Sequence, residues 1–276
     1  MRSPKAEDSS IYDQKEHYEI EKELAVRLLK ATKEERQKLY RPLYDELFHR
    51  VKHHPYLAEK TAPSAQTKRQ LKLLKKFINT ESRFLEIDPG EGSLSLEVAR
   101  HVKTAAAVDV SNKITSKINS TENLALLISE GLSIPLPDNS IDVAFSNNFF
   151  ERLHPDDAMD HLLHINRVLV KGGTYICMTL NRLSGPHDIS KYFDNVAKGL
   201  NLNESTNFEL EKLFKAAGFS KTTIIVGVRG ISFPMPVFPA KIVEKMLITL
   251  PSALCCKISS FLPVKILLGI KFVAVK

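Results

Sequence analysis

Phe84-Leu85-Glu86-Ile87-Asp88-Pro89-Gly90-Glu91-Gly92 joins two kinds of local structure. An apolar run ends in an acid, and a short loop then places two glycines one residue apart. The segment Ser93 to Val102 follows, with Leu94, Leu96, Val98, Ala99 and Val102 available for a buried face. Strand, tight turn and helix start, in that order, bring backbone close to a nucleotide-like ligand in α/β folds. A dinucleotide fingerprint wants glycine at the first, third and sixth loop positions, and counting from Gly90 the sixth is Ser95. A nicotinamide cofactor is therefore disfavoured.

Working outward, apolar strand-like runs recur at Ala105–Val110, Leu124–Ser129, Ile141–Ser146 and Thr174–Leu180, with helical or loop segments such as Asp156–Leu169 between them. Strands alternating with helices predict βαβ units and a parallel sheet. A helix over Asn207–Ala217 closed by Gly218, a strand over Lys221–Val228 and a last strand over Ile270–Val275 complete the pattern. The expected fold class is α/β, a doubly wound seven-stranded sheet, mostly parallel with an antiparallel last strand. Residues 1–63 read as an N-terminal helical cap, with Tyr40, Leu43, Tyr44, Leu47, Phe48 and Val51 at helical spacing and Pro55 interrupting them. The main domain is expected over 64–276, opening on a helix from Ser64 to Asn79. Within it, 229–266 reads as a hydrophobic, basic insertion of broken helix and loop, because it carries Pro234, Pro236, Pro239, Pro251 and Pro263.

Composition narrows the setting. With 43% hydrophobic and 26% charged residues over 276 positions, the chain has the proportions of a globular protein. Cys177, Cys255 and Cys256 show no metal-ligand spacing and two are adjacent, so neither a disulfide framework nor a metal set is expected, and a reducing cytoplasm fits. The polar N-terminus reads as neither a secretory signal nor a transit peptide. No transmembrane helix is expected, since no uncharged apolar run reaches about 18 residues. Of the net charge of +7, +6 falls in 229–276, where seven basic residues accompany one acid, Glu244. Such a segment suits a solvated face, an anionic membrane surface or nucleic acid.

Asp109 ends the second strand-like run, near the glycine loop, where a carboxylate can accept hydrogen bonds from ribose hydroxyls. The run Ser129-Glu130-Gly131-Leu132-Ser133-Ile134-Pro135-Leu136-Pro137-Asp138-Asn139-Ser140-Ile141-Asp142 then separates the cofactors that this placement allows. Together with Arg167-Val-Leu-Val-Lys-Gly172-Gly173, it resembles the middle of class I S-adenosylmethionine-dependent methyltransferases of the type-11 kind. Four ordered landmarks carry the resemblance from Phe84 to Asn181. It implies a Rossmann-like sheet and S-adenosylmethionine as cofactor. It also implies roles: Glu86 near the methionine ammonium, Gly90 and Gly92 in the close-approach turn, and Asp109 and Val110 at the ribose. Glu130 and Gly131 would lie at the adenine, and Asn147 beside the sulfonium. Asn181-Arg-Leu-Ser-Gly-Pro-His187-Asp188-Ile-Ser-Lys191-Tyr192-Phe193, with Tyr44-Asp-Glu-Leu-Phe48-His-Arg-Val and His54-Pro55, also resembles a narrower bacterial methyltransferase group. That likeness specifies cofactor chemistry and leaves the acceptor open.

Two departures from the family pattern stand out. Asp88 occupies the position of the family's first glycine, and Pro89 after it predicts an extended conformation there. The Glu-His-Leu common after the fourth strand is Glu151-Arg152-Leu153. Asp88 is kept among the expected cofactor contacts. His187, just beyond the fifth strand, and His154, opening His154-Pro155-Asp156-Asp157, are the candidate proton acceptors, with helix capping as the alternative for each. The expected reaction is methyl transfer to a small-molecule or glycan-like acceptor, on oxygen, with peripheral membrane contact through 229–266. A methyltransferase-like binding protein that has lost catalysis is the alternative. An RNA acceptor ranks lower, because no aromatic-rich RNA-binding motif is present.

Overall fold

The computed structural model describes residues 4–54, 63–110, 121–129, 133–228 and 231–276. Pro55, Glu130 and Gly131 lie outside them. Among the described residues, one sheet holds eight strands in the order β3-β2-β1-β4-β5-β8-β6-β7. The strands are β1 (Arg83–Ile87), β2 (Thr104–Asp109), β3 (Leu124–Ile128), β4 (Ile141–Asn147), β5 (Leu169–Thr179), β6 (Lys221–Val228), β7 (Ile231–Met235) and β8 (Ile270–Val275). β1 to β5 pair in parallel, and β8 runs antiparallel between β5 and β6.

The helices are α1 (Pro4–Lys30), α2 (Lys33–Arg50), α3 (Ala65–Leu74), α4 (Ser93–Ala99), α5 (Asp157–Val168), α6 (Asn207–Ala216), α7 (Phe238–Ile248), α8 (Ser252–Ser259) and α9 (Leu262–Leu268). Successive side chains of a strand face opposite ways, and here each face is covered. Leu85 and Ile87 join α5 and α6 through Leu162, Ile165 and Phe214, while Phe84 joins α3 and α4 through Leu74 and Val98. No helix among the described residues is long and apolar enough to cross a membrane.

The expected sheet is present with one further strand. β7 pairs antiparallel with β6 at the sheet edge, with Pro234 opposite Ile225. Proline cannot donate to a ladder, so it is tolerated at an edge and disguises the strand in sequence. The rest of the insertion is three short helices, two of them carrying proline in the first turn. Its one acid, Glu244, is buried and accepts hydrogen bonds from Asn181 Nδ2 (2.7 Å), Asn207 N (2.7 Å), Asn207 Nδ2 (2.9 Å) and Phe208 N (3.0 Å). Those backbone donors are the otherwise unsatisfied N–H groups of the first turn of α6. The insertion is therefore locked onto α6 by the only carboxylate it has.

α1 and α2 share a core of their own, built on Leu24, Leu28, Leu43 and Leu47. A capping box at Thr32 and Glu35 starts α2. A buried ion pair joins this unit to the sheet: Arg36 Nε and Nη2 reach the Asp157 carboxylate at 2.7 and 2.5 Å, and Tyr40 Oη donates to Asp157 at 3.0 Å. That contact holds α2 above the C-terminal edge of the parallel strands.

Candidate active site

The loop after β1 sets the geometry. Three of its residues have left-handed backbone: Asp88 (φ 55°), Gly90 (φ 54°) and Gly92 (φ 73°). The extended conformation expected for Asp88 is thus not the one adopted. Aspartate tolerates the left-handed region better than most residues, and Asp88 N is tied to Val108 O at 3.0 Å. Gly92 N closes the turn on Pro89 O at 2.9 Å and Gly92 caps α4.

Three connected cavities open along this edge. The first, about 840 Å³, lies over the ends of β1, β2 and β3 and is walled by Ile87, Gly90, Asp109, Val110 and Phe149, with Tyr40, Tyr44 and Phe48 of α2 as its roof. The second, about 860 Å³, continues from Asp88 and Gly90 toward Glu86, Asn147 and Gln70 of α3. The third, about 1170 Å³, shares Tyr44, Phe48 and Arg152 with the first and Asn148 with the second. Its wall includes Glu151, His187, Asp188, Lys191 and Tyr192.

Glu86, Asp88, Gly90, Asp109, Val110 and Asn147 are therefore brought together around the first two cavities. Gly92 shapes the turn without lining either one. His187 reaches the third cavity. His154 lines none of these three cavities: its Nδ1 accepts from Asp156 N at 3.2 Å, a capping contact, and its own N–H donates to Tyr40 Oη at 3.0 Å. The capping alternative describes its geometry.

Buried charge distinguishes the subsites. Glu86 accepts from Ser95 Oγ, and among the described residues no cation pairs with it. Burial, reinforced by Asp88 and Glu91, pushes its carboxyl up to about 8. Asp88 is also raised by burial, against which the Arg152 guanidinium, 3.6 Å away, pulls it down. Glu151 is buried, accepts from Thr179 Oγ1 at 2.7 Å, and is pushed up to about 7 by burial. His187 Nε2 lies 3.1 Å from Asn181 O, and a carbonyl only accepts. Nε2 is therefore the donor to that carbonyl, with Ser184 Oγ also 3.2 Å from it.

The resemblance passed over Glu151, because the sequence signal at that position was the loss of a histidine one residue later. It also passed over Arg152 as a partner for Asp88.

These residues fit S-adenosylmethionine. A buried carboxyl without a cation among the described residues, on the wall of the second cavity, suits the cofactor's ammonium. An apolar slot with Asp109 at its edge suits the adenosine. When bound, the cofactor supplies an electrophilic methyl group already activated by its sulfonium. What remains for the chain is alignment and exclusion of water.

Comparison with known proteins agrees. Residues 85–177 match the family described as "Methyltransferase domain". No curated protein matches the chain by sequence. An S-adenosylmethionine-dependent methyltransferase from Archaeoglobus fulgidus superposes with TM-score 0.51 at 16% identity, over 77% of this chain and 95% of that one. The YcgJ protein from Bacillus subtilis gives 0.50 at 16% identity, over 76% and 98%. Haemonchus contortus phosphoethanolamine N-methyltransferase 2, in complex with phosphomonomethylethanolamine and S-adenosylhomocysteine, gives 0.52 at 16% identity, over 79% and 54%. At such identities the superpositions speak to the fold, and the matched domain speaks to the chemistry. Residues 85–177 thus match a methyltransferase domain, set in a sheet that superposes on the methyltransferase fold.

Proposed function

We propose that the chain transfers the methyl group to an oxygen of a hydroxyl-bearing small-molecule or glycan-like acceptor held in the 1170 Å³ cavity. The observation that carries this reading is Glu151. A hydroxyl is a poor nucleophile until it loses its proton, whereas a neutral amine needs no base. A buried carboxyl held near 7 at the acceptor side of the site is tuned for that proton. Glu151 takes the proton, and His187 Nδ1 accepts a hydrogen bond that orients the acceptor. Around them Gln14, Asp188, Lys191 and Asn201 offer donors and acceptors, and Tyr192 offers an aromatic face, a set suited to a polyol. Tritium-labelled methyl transfer into fractionated cell extract tests the reading. Label in the glycan or small-molecule fraction, stable to acid and base as an ether, supports it, whereas label confined to amines or RNA overturns it.

The insertion supplies a membrane contact. Phe238, Met246, Phe261 and Leu262 are each more than 60% exposed, and Phe233, Ile242, Ile248 and Leu254 are exposed beside them. Lys245, Lys257 and Lys265 are exposed on the same three helices, and the only acid there is buried under α6. Apolar and basic side chains together complement the acyl boundary and headgroups of an anionic bilayer. This supports a cytoplasmic enzyme peripheral to the membrane, as do three free cysteines. Flotation with phosphatidylserine vesicles checks it: binding should fall with salt and in F261S/L262S, and equal recovery with and without vesicles contradicts it.

A further inference from the structure

His17, Glu21 and His54 form a cluster on the acceptor-cavity wall that methyl transfer does not call for. All three are buried, and one donor atom of each lies within 4.8 Å of the other two. His17 Nε2 is 2.7 Å from Glu21 Oε1, and His54 Nε2 is 4.0 Å from the same oxygen. A tetrahedral ion with bonds of about 2.0–2.2 Å holds its ligand atoms roughly 3.4 Å apart. The observed separations straddle that value, so binding an ion asks the first contact to open and the second to shorten, each by less than about 1 Å.

The supporting structure is what a metal site needs. His17 and Glu21 stand one turn apart on α1, which puts both on one face. His54 is delivered by the turn after α2, where its N–H bonds Val51 O at 3.0 Å. Glu21 Oε2 accepts from Leu200 N at 3.2 Å, which orients the carboxylate from behind and leaves Oε1 directed at the imidazoles. The three side chains also line the acceptor cavity, so coordination positions beyond theirs open toward it.

We propose that His17, Glu21 and His54 bind one divalent first-row transition ion of the zinc class, with an open position facing the acceptor. Two imidazoles and one carboxylate select such an ion over magnesium or calcium, which prefer oxygen donors. Three protein ligands plus an open position is the arrangement of catalytic zinc sites. Occupancy of the site does not depend on the acceptor. Its use, drawing an acceptor hydroxyl oxygen to the ion and easing loss of the proton to Glu151, rests on the oxygen-methylation reading.

The test uses the full chain, stripped with a chelator. Zn²⁺ titration against a metal-indicator dye should give one equivalent, and Co²⁺ should give a visible d–d band of a low-coordinate site. His17→Gln and His54→Gln should each weaken Zn²⁺ binding by more than about 100-fold, beyond what loss of an outer-shell partner costs. His101→Gln, in the turn after α4 and outside the cluster, should bind as the wild type does. Wild-type protein with no stoichiometric Zn²⁺ and no cobalt band overturns the proposal whatever the variants do, as does equal binding by His17→Gln and His54→Gln. Metal bound by a protein that methylates only amines would keep the site and reject the oxygen reading.

Discussion

Arg152 Nη1 lies 3.6 Å from the Asp88 carboxylate, tying the segment after β4 to the loop after β1 where the first and third cavities meet. The family glycine is thus replaced together with the family histidine, and the two departures in the sequence are one contact in the fold. Asp88 costs about 1–2 kcal/mol in left-handed backbone. That cost is present with and without cofactor, so relieving it changes stability and leaves affinity alone.

Asp88→Asn should weaken cofactor binding about tenfold, or about 1.4 kcal/mol. It removes one negative charge from beside the Arg152 guanidinium and from a site that takes a ligand of net positive charge. Asp88→Gly should weaken it equally while raising Tm, and D88G/R152H should restore affinity. With the single Arg152→His variant added, calorimetric affinities of wild type, D88G, R152H and D88G/R152H form a double-mutant cycle. Tighter binding by Asp88→Gly alone would show that the ion pair contributes nothing to the cofactor.

Glu86 predicts a pH dependence with a definite sign. Its folded value of about 8 lies above the ordinary 4.5, so the cofactor-free native state holds a proton that the unfolded chain releases. Stability from this group is complete below 4.5 and lost progressively as pH rises toward 8. Glu86→Gln keeps a neutral side chain at every pH. The Tm advantage of E86Q over wild type, both without cofactor, should therefore widen from pH 5 to pH 8. The variant should also lose most of its cofactor-induced Tm shift. A constant Tm difference across that range would show that Glu86 ionises normally.

Glu151 and His187 separate in kinetics. Glu151→Gln should lower kcat by about 10²–10⁴-fold with little change in KM, and should abolish the rise of rate with pH through about 7. His187→Asn should mainly raise KM for the acceptor. The reverse pattern would make His187 the base.

Arg36 and Asp157 test the cap. Arg36→Met strands a buried carboxylate and should cost about 3–5 kcal/mol of stability. R36M/D157L should recover much of that loss by urea melts. Cofactor affinity should follow stability in the single variant, because the same contact seats Tyr40, Tyr44 and Phe48 over the first cavity. Unchanged affinity in a folded Arg36→Met protein would separate the roof from the ion pair.

Much of the frame was legible because buried parallel strands repeat at regular intervals. Glu86 and Asp109 both fall at or beside strand ends, where spacing alone points to a ligand. β7 was hidden by Pro234, whose cost vanishes only at a sheet edge, which sequence does not mark. The Asp88 conformation was misread because the restriction before proline is local, while the tie to Val108 O is tertiary. Arg152 and Asp88 are 64 positions apart, and His54 is 33 positions from Glu21, so no window of sequence contains either pairing. The i, i+4 pair His17 and Glu21 was the only local trace of the cluster.

Calorimetric titration of the full chain with S-adenosylmethionine measures cofactor binding itself. One saturable site is predicted, with Kd on the order of 1–100 µM, weakened at least about tenfold by Asp109→Ala, which removes the expected ribose acceptor. A folded wild-type protein that shows no binding at millimolar ligand would contradict it.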